Sequence, residues 1–125
     1  MSNYFRKRVR SFKYAIIGIK ELFDGTPNAT IHLVAAIMAI IMGILLKISN
    51  LEWVAIIIVI GLVIALEGIN SAIEELADLI TKERNDNIRK VKDISAGAVL
   101  IVSISALATG LFIFGPKILD LIIGK

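Results

Sequence analysis

Four polar side chains recur at helical spacing inside an otherwise apolar part of the chain. They are Glu67, Asn70, Glu74 and Asp78. At about 100° per residue, all four fall within an arc of ~80° on one face of a helix. Carboxylates and an amide gathered in this way can accept a proton, bind a divalent cation or hold a hydroxyl group. These four residues, called the acidic row below, are therefore the first candidate for a functional site.

Glu67 is the member of the acidic row that most needs a function. A charged side chain at the centre of a membrane helix costs about 2.5–3.5 kcal/mol on insertion scales, so it persists only with a partner or a role. Solvation at the helix end explains Asp78 and the neighbouring Glu75, and an ion pair with a lysine of another helix would explain Glu74. Glu67 lies two turns deeper than Glu74, about 10 Å along the helix axis. We predict that it accepts a proton.

A second charged cluster, Lys92 and Asp93, precedes a run of small residues that includes Ser95 and Ala96. Small residues permit close helix packing, which would bring the cluster beside the acidic row. A phosphoryl-transfer site can be built from two acids that hold Mg²⁺, a lysine that binds phosphate and a deeper acid that acts as a base. The chain has no glycine-rich P-loop, so a nucleotide site would be built differently here.

The composition indicates which class of protein must position these residues. The chain has 125 residues, of which 57% are hydrophobic and only 20% are charged, and its mean hydropathy is +0.83. A soluble domain of this size needs a more polar surface. These values exclude a disordered chain and a nucleic-acid module with a basic face, and the absence of cysteine excludes a disulfide scaffold. Three stretches are long and apolar enough to span a membrane, at about 28–48, 51–80 and 92–114, and Gly115-Pro116 is expected to end the last.

Residues 2–23 are predicted to form an amphipathic helix ahead of the three spans. Its apolar residues recur at steps of three or four, which lines them along one face of a helix. They are Phe5, Val9, Phe12, Ile16, Ile19 and Phe23. This helix either lies in the membrane interface, with its cationic side toward anionic headgroups, or packs on the bundle.

The basic residues predict the orientation in the membrane. Eleven of the 14 lysines and arginines lie in the N-terminal helix or in the stretch 81–92. Lys47, Lys117 and Lys125 are the other three. Because basic residues are retained on the cytoplasmic side, both of the basic segments are expected to be cytoplasmic.

Two motifs resemble the signature of the prokaryotic diacylglycerol kinase / undecaprenol kinase family. The first is Glu67-Gly-Ile-Asn70-Ser71-Ala72-Ile73-Glu74 with Asp78 after it, and the second is Lys92-Asp93-Ile-Ser-Ala-Gly-Ala98-Val99-Leu100. The likeness extends over essentially the whole chain and includes Ser11-Phe12-Lys13-Tyr14-Ala15. It implies one domain over residues 1–125, which is an ATP-dependent and Mg²⁺-dependent kinase of a membrane lipid. It also implies a homotrimer of three-span subunits with a surface helix, whose active sites lie at subunit interfaces near the cytoplasmic surface.

The resemblance also implies a role for each residue of the site. Glu67 is the expected catalytic base with Asn70 beside it, and Glu74 is the expected ligand of Mg²⁺. The residues expected to contact the nucleotide are Lys7, Tyr14, Glu74, Glu83, Asn85, Lys92 and Asp93. The residues expected to contact the lipid are Glu67, Ala96 and His32.

The chain departs from the family pattern just before the first span. Thr26 occupies the place where the family usually has a second metal-binding glutamate. Either Asp24 or Glu21 supplies the missing charge, or Mg²⁺ is held less firmly, or activity is lost. Thr26 is also expected to cap the first span, because Pro27 suits the first position of a helix.

The identity of the lipid depends mainly on His32, the single histidine of the chain. A histidine at this place resembles the undecaprenol kinase branch, so a polyprenol substrate is favoured and diacylglycerol is the alternative. A packing role for His32 is favoured over metal ligation, since no cysteine or second histidine completes a cluster. Two other functions stay open: a degenerate kinase that binds nucleotide without turnover, and a small transporter in which Glu67 couples to protons.

Overall fold

The computed structural model describes residues 2–124, which form four α-helices and no β-strand. Helix α1 spans Ser2–Gly25, α2 spans Pro27–Leu45, α3 spans Asn50–Ile80 and α4 spans Asp86–Ile123. Helices α2, α3 and α4 are each long and apolar enough to cross a membrane. This confirms the predicted all-α membrane fold, with three spans after an N-terminal helix. Met1 and Lys125 lie outside the described residues.

Helix α3 is the centre of the bundle. It packs extensively against α4 and less extensively against α2, whereas α2 and α4 touch each other little. The buried core cluster lies where the end of α2, the start of α3 and the second half of α4 meet, and this region is called the far end below. Its buried residues are Ile48, Ile56, Ile113 and Phe114. Gly43 permits the close approach of Trp53, since a Cβ atom at this position would lie 2.7 Å from Trp53 Cη2.

The turn between α2 and α3 explains where these two helices end and begin. Lys47 has a φ of 49°, a left-handed conformation that cannot continue a helix. Ser49 then caps α3: its Oγ accepts from the Glu52 N–H at 3.3 Å, and Glu52 Oε2 accepts from the Ser49 N–H at 2.7 Å. This reciprocal arrangement is a capping box. Glu52 Oε1 also lies 3.3 Å from Lys117 Nζ, which ties α3 to α4.

The bounds of α4 differ from those of the expected span at both ends. The helix begins at Asp86 and not near residue 92, because Asn85 Oδ1 accepts hydrogen bonds from the N–H groups two and three residues later and so satisfies donors at the helix start. The prediction that Gly115-Pro116 ends the helix is wrong, since α4 continues to Ile123. Proline removes one N–H, whereas ending the helix in an apolar layer would leave several backbone groups unpaired.

Helix α1 is exposed along most of its length. Residues 3–21 are exposed, and only Leu22 and Phe23 near the C-terminal end are half-buried. Leu22 Cδ2 lies 3.4 Å from where a Cβ atom of Gly68 on α3 would be. Packing on its own bundle therefore does not account for the apolar stripe of α1, in which Phe12 is 72% exposed. The position of α1 in the membrane interface stays a prediction.

Candidate active site

Three polar contacts gather the starts of α2 and α4 around the C-terminal half of α3. The contacts are Thr26–Ser71, His32–Glu67 and Lys92–Asp78. Because these contacts on α3 fall between the first and last residues of the acidic row, the row lies where the three membrane helices meet. This end of the bundle, opposite to the far end, is called the polar end below.

Glu67 is the most deeply buried of the polar side chains described. It is 1% exposed, and its Oε2 lies 3.9 Å from His32 Nε2, which is longer than a hydrogen bond. Its other oxygen, Oε1, is buried without a hydrogen-bond partner. A buried carboxylate oxygen without a partner is costly, which makes Glu67 Oε1 a candidate contact for a bound group.

Asn70 and Glu74 continue the row toward the helix end. Asn70 is 6% exposed, and its Nδ2 donates to Glu74 Oε1 at 3.4 Å. The Oδ1 atom of Asn70 is buried and has no partner. The shared face predicted from helical spacing is thus confirmed by this contact. Two adjacent turns of α3 present unpartnered oxygen atoms, one from Glu67 and one from Asn70.

Thr26 is at the N-cap of α2 but does not cap it through its side chain. Its hydroxyl lies 3.4 Å from Ser71 Oγ instead, and Ser71 Oγ donates to the Glu67 carbonyl oxygen at 2.9 Å. The expected capping role of the Thr26 side chain is therefore wrong, because the hydroxyl is engaged across the bundle. Pro27 does occupy the first turn of α2, as predicted.

Lys92 reaches the acidic row, whereas Asp93 does not. Lys92 Nζ donates to Asp78 Oδ1 at 2.8 Å, so the lysine that pairs with the row bonds to Asp78 and not to Glu74. Asp93 Oδ2 instead accepts from Arg89 Nη1 on its own helix at 2.6 Å. Ser95 is buried in the helix contact, as the small-residue run predicted. Both charged pairs are at least one-third exposed and are open to exchange with a ligand.

The other residues expected to contact a ligand lie outside the buried row. Lys7 and Tyr14 are on the exposed part of α1, and Ala96 is exposed on α4. Glu83 lies in the short connection between α3 and α4, where its N–H donates to Thr81 Oγ1. Asn85 caps α4 through its side chain, and its contact with a nucleotide stays a prediction.

The described residues do not bring three potential protein ligands together for a metal ion. Among residues 2–124, no group of three or more histidine, aspartate or glutamate side chains is close enough to hold a metal ion. That Asp24 or Glu21 supplies the charge missing at Thr26 stays a prediction. Both are exposed near the end of α1.

An apolar cavity of about 700 Å³ lies between α2, α3 and α4, and the sequence reasoning missed it. His32, whose Nε2 lies 3.9 Å from Glu67 Oε2, is one of its lining residues, whereas Glu67 itself is not. Ser103 also lines it, and Ser103 Oγ is buried without a partner. A serine in an apolar helix carries no distinctive pattern, and only the register of α4 against α3 reveals its position.

The fold defines the chain as a small multi-pass membrane protein with a polar site at one end of its bundle. A sequence model of the family described as "Prokaryotic diacylglycerol kinase" matches residues 13–114. The chain is 36% identical over 116 residues to "Undecaprenol kinase" of Bacillus subtilis, an alignment that covers 93% of this chain and 94% of that protein. It is 31% identical over 114 residues to "Diacylglycerol kinase" of a Synechocystis species, which covers 90% of this chain and 65% of that protein.

The chain belongs to the prokaryotic diacylglycerol kinase family. It is therefore a lipid kinase, as the two sequence motifs predicted. The transporter alternative loses its basis, because both relatives are named as kinases.

Proposed function

We propose that the protein is an undecaprenol kinase, which transfers the γ-phosphoryl group of ATP to the hydroxyl of a polyprenol. The relative named "Undecaprenol kinase" supports this choice, since the alignment covers nearly all of both chains. The observation that carries the proposal is the buried Glu67 carboxylate, whose Oε1 has no partner. A lipid hydroxyl is a group of the right chemistry to meet that oxygen.

In the proposed reaction, Glu67 is the general base. Its Oε1 takes the proton of the lipid hydroxyl while the hydroxyl oxygen bonds to the γ-phosphorus. The bond between that phosphorus and the bridging oxygen breaks, and ADP leaves with the electron pair. A positioned base of this kind typically contributes 10²–10⁴-fold in rate. The amide of Asn70, one turn away, is suited to donate from Nδ2 to an oxygen of the attacked phosphate.

Lys92 and Glu74 are proposed to serve the nucleotide. Lys92 would exchange its contact with Asp78 for a phosphate oxygen, which its exposure permits. Mg²⁺ is usually held by one or two carboxylates together with substrate phosphates, so Glu74 on the face of Asp78 fits such a site without a third protein ligand. When bound, Mg²⁺ neutralises charge on the phosphate oxygens. Thr26 contributes no charge, and its hydroxyl already contacts Ser71.

We propose that the polar end lies at the cytoplasmic surface, where ATP is available. The concentration of basic residues in residues 2–23 and 81–92 supports this orientation. We include a homotrimer in the proposal, as the resemblance implies. Leu22 is the residue of α1 that lies against α3 at Gly68, and Lys7 is about 22 Å away from it along α1. Nucleotide binding by Lys7 is therefore easier at the active site of a neighbouring copy than at that of its own chain.

A γ-phosphate transfer assay over a panel of lipid alcohols tests the proposal. The purified protein is incubated in mixed micelles with labelled ATP, Mg²⁺ and either undecaprenol or diacylglycerol, and the Glu67→Gln variant serves as the inactive reference. We expect ATP-dependent phosphorylation with a preference for undecaprenol. A preference for diacylglycerol would reject the substrate assignment, and nucleotide binding without turnover of any alcohol would indicate a degenerate kinase.

A further inference from the structure

His32 lies on the face of α2 that is buried against α3. Ala29 and Ala36, three residues before it and four residues after it, are 2% and 7% exposed, and residues at these spacings share one face of a helix. Because alanine is small, α2 can approach α3 closely on both sides of His32. The imidazole is therefore held toward α3, where its Nε2 lies 3.9 Å from Glu67 Oε2.

The two oxygens of the Glu67 carboxylate have different surroundings. Within residues 2–124, His32 is the only basic side chain that pairs with this carboxylate, and the contact is made to Oε2. The other oxygen, Oε1, is buried without a hydrogen-bond partner. One oxygen thus faces the imidazole, and the other is left for a bound group.

The neighbouring polar side chains of α3 direct their donors elsewhere. Ser71 Oγ donates to the backbone carbonyl oxygen of Glu67 and not to its carboxylate. Asn70 Nδ2 donates to Glu74 Oε1. Neither of these hydrogen bonds orients the Glu67 carboxylate, so the imidazole of His32 is the donor that is placed to do so.

The contact between His32 and Glu67 is suited to tighten when a substrate binds. At 3.9 Å it is about 1 Å longer than an ordinary N–H···O hydrogen bond, and catalytic hydrogen bonds are often long until the substrate is present. A neutral imidazole carries one N–H, and its hydrogen bonds decide which nitrogen carries that hydrogen. With the hydrogen on Nε2, His32 donates to Oε2 and leaves Oε1 free to accept a proton.

We propose that His32 is a positioning residue, which donates a hydrogen bond from Nε2 to Glu67 Oε2 and so holds Oε1 toward the hydroxyl of the lipid. The inference rests on the proposed function, in which Glu67 is the base. During transfer the proton of the hydroxyl passes to Oε1, while the hydrogen on Nε2 stays on the imidazole. A base that is itself oriented by a third group is a recurrent arrangement in catalytic sites. His32 therefore acts on the chemical step and not on the binding of the lipid.

The kinetic constants of two His32 variants test the inference. His32→Leu keeps a side chain of similar size and removes the donor, whereas His32→Gln keeps an N–H donor at a similar reach. The full-length proteins are assayed in mixed micelles with labelled ATP, and kcat and KM for undecaprenol are measured. We expect His32→Leu to lower kcat by about 10- to 150-fold, as the loss of a hydrogen bond to a charged group does, with KM for the lipid unchanged. His32→Gln should keep most of the kcat.

Two controls distinguish positioning from a loss of packing. Ile37→Ala shortens a side chain on the same helix that is exposed and does not line the cavity, so it should leave both constants unchanged. His32→Leu is also made in the Glu67→Gln background, where it should lower kcat no further, because the base that it orients is already absent. A purely structural role would lower kcat by the same factor in both backgrounds, which would overturn the inference.

The outcomes separate this inference from the proposed function. An unchanged kcat for His32→Leu, with Glu67→Gln inactive, would overturn the positioning role and leave Glu67 as the base. An equally low kcat for His32→Leu and His32→Gln would also overturn it, since the donor would then not matter. A raised KM with an unchanged kcat would overturn it too and would make His32 a lipid contact, as the resemblance implies. Full activity of Glu67→Gln would instead reject the base itself.

Discussion

Ser103 offers a prediction in which activity and stability change in opposite ways. The Ser103→Ala substitution removes one buried hydroxyl that has no partner within the described residues. If the hydroxyl binds the lipid alcohol, its loss removes one neutral hydrogen bond, worth about 0.5–1.5 kcal/mol. This corresponds to a fall of about 2- to 13-fold in kcat/KM for the lipid. Removal of an unpartnered buried hydroxyl should not destabilise the folded protein, and a small gain in thermal stability is expected.

The control for this experiment is two residues away on the same helix. Ser105 is exposed, and its Oγ donates to the Ile101 carbonyl oxygen at 3.0 Å, so Ser105→Ala should leave kcat/KM for the lipid unchanged. Steady-state phosphorylation of undecaprenol and thermal unfolding in detergent are measured for both variants. An unchanged kcat/KM for Ser103→Ala would contradict a contact between this hydroxyl and the lipid. A clearly lower unfolding temperature for Ser103→Ala would contradict it as well, since the hydroxyl would then have an internal partner.

Three further predictions address the far end, the metal site and the start of α4. Gly43→Ala should lower the free energy of unfolding by about 1–3 kcal/mol through overpacking against Trp53. The control Gly61→Ala should not lower it, and equal stabilities of the two variants would contradict the close approach of Trp53 to Gly43. Thr26→Glu should lower the Mg²⁺ concentration needed for half-maximal activity, because it adds a carboxylate beside Ser71. If this concentration is unchanged, another residue already supplies the second carboxylate for Mg²⁺. Asn85→Ala should lower the free energy of unfolding by about 1 kcal/mol, whereas Asn85→Asp should keep the cap and the stability. If Asn85→Ala instead has unchanged stability and a lower affinity for ATP, Asn85 contacts the nucleotide.

The acidic row could be predicted from the sequence because helical periodicity alone decides which side chains share a face. The position of Lys92 could also be predicted, since a lysine at the start of one helix meets an acid at the end of the preceding antiparallel helix. Asp93 was expected in the same place, but one residue along a helix turns a side chain by about 100°. It bonds to Arg89 instead.

The apolar cavity and the position of Ser103 could not be predicted, because they depend on how three helices are spaced and on their relative register. The prediction that α4 ends at Pro116 was wrong because it considered only the one hydrogen bond that proline removes. Ending the helix within the membrane would leave several backbone groups unpaired, which costs more than that single hydrogen bond. The sequence indicates the start of α3, because Ser49 followed three residues later by Glu52 is the pattern of a capping box. The start of α4 at Asn85 carried a similar signal, as asparagine is a favoured cap.

The rate of undecaprenol phosphorylation by the Glu67→Gln variant tests the central claim most directly. Glutamine keeps the size of the side chain and cannot take the proton, so kcat should fall by about 10²–10⁴-fold. Glu75→Gln is the matched control, because Glu75 is exposed on α3 and outside the acidic row, and its kcat should be unchanged. Equal rates for Glu67→Gln and the unmodified protein would contradict the assignment of Glu67 as the base.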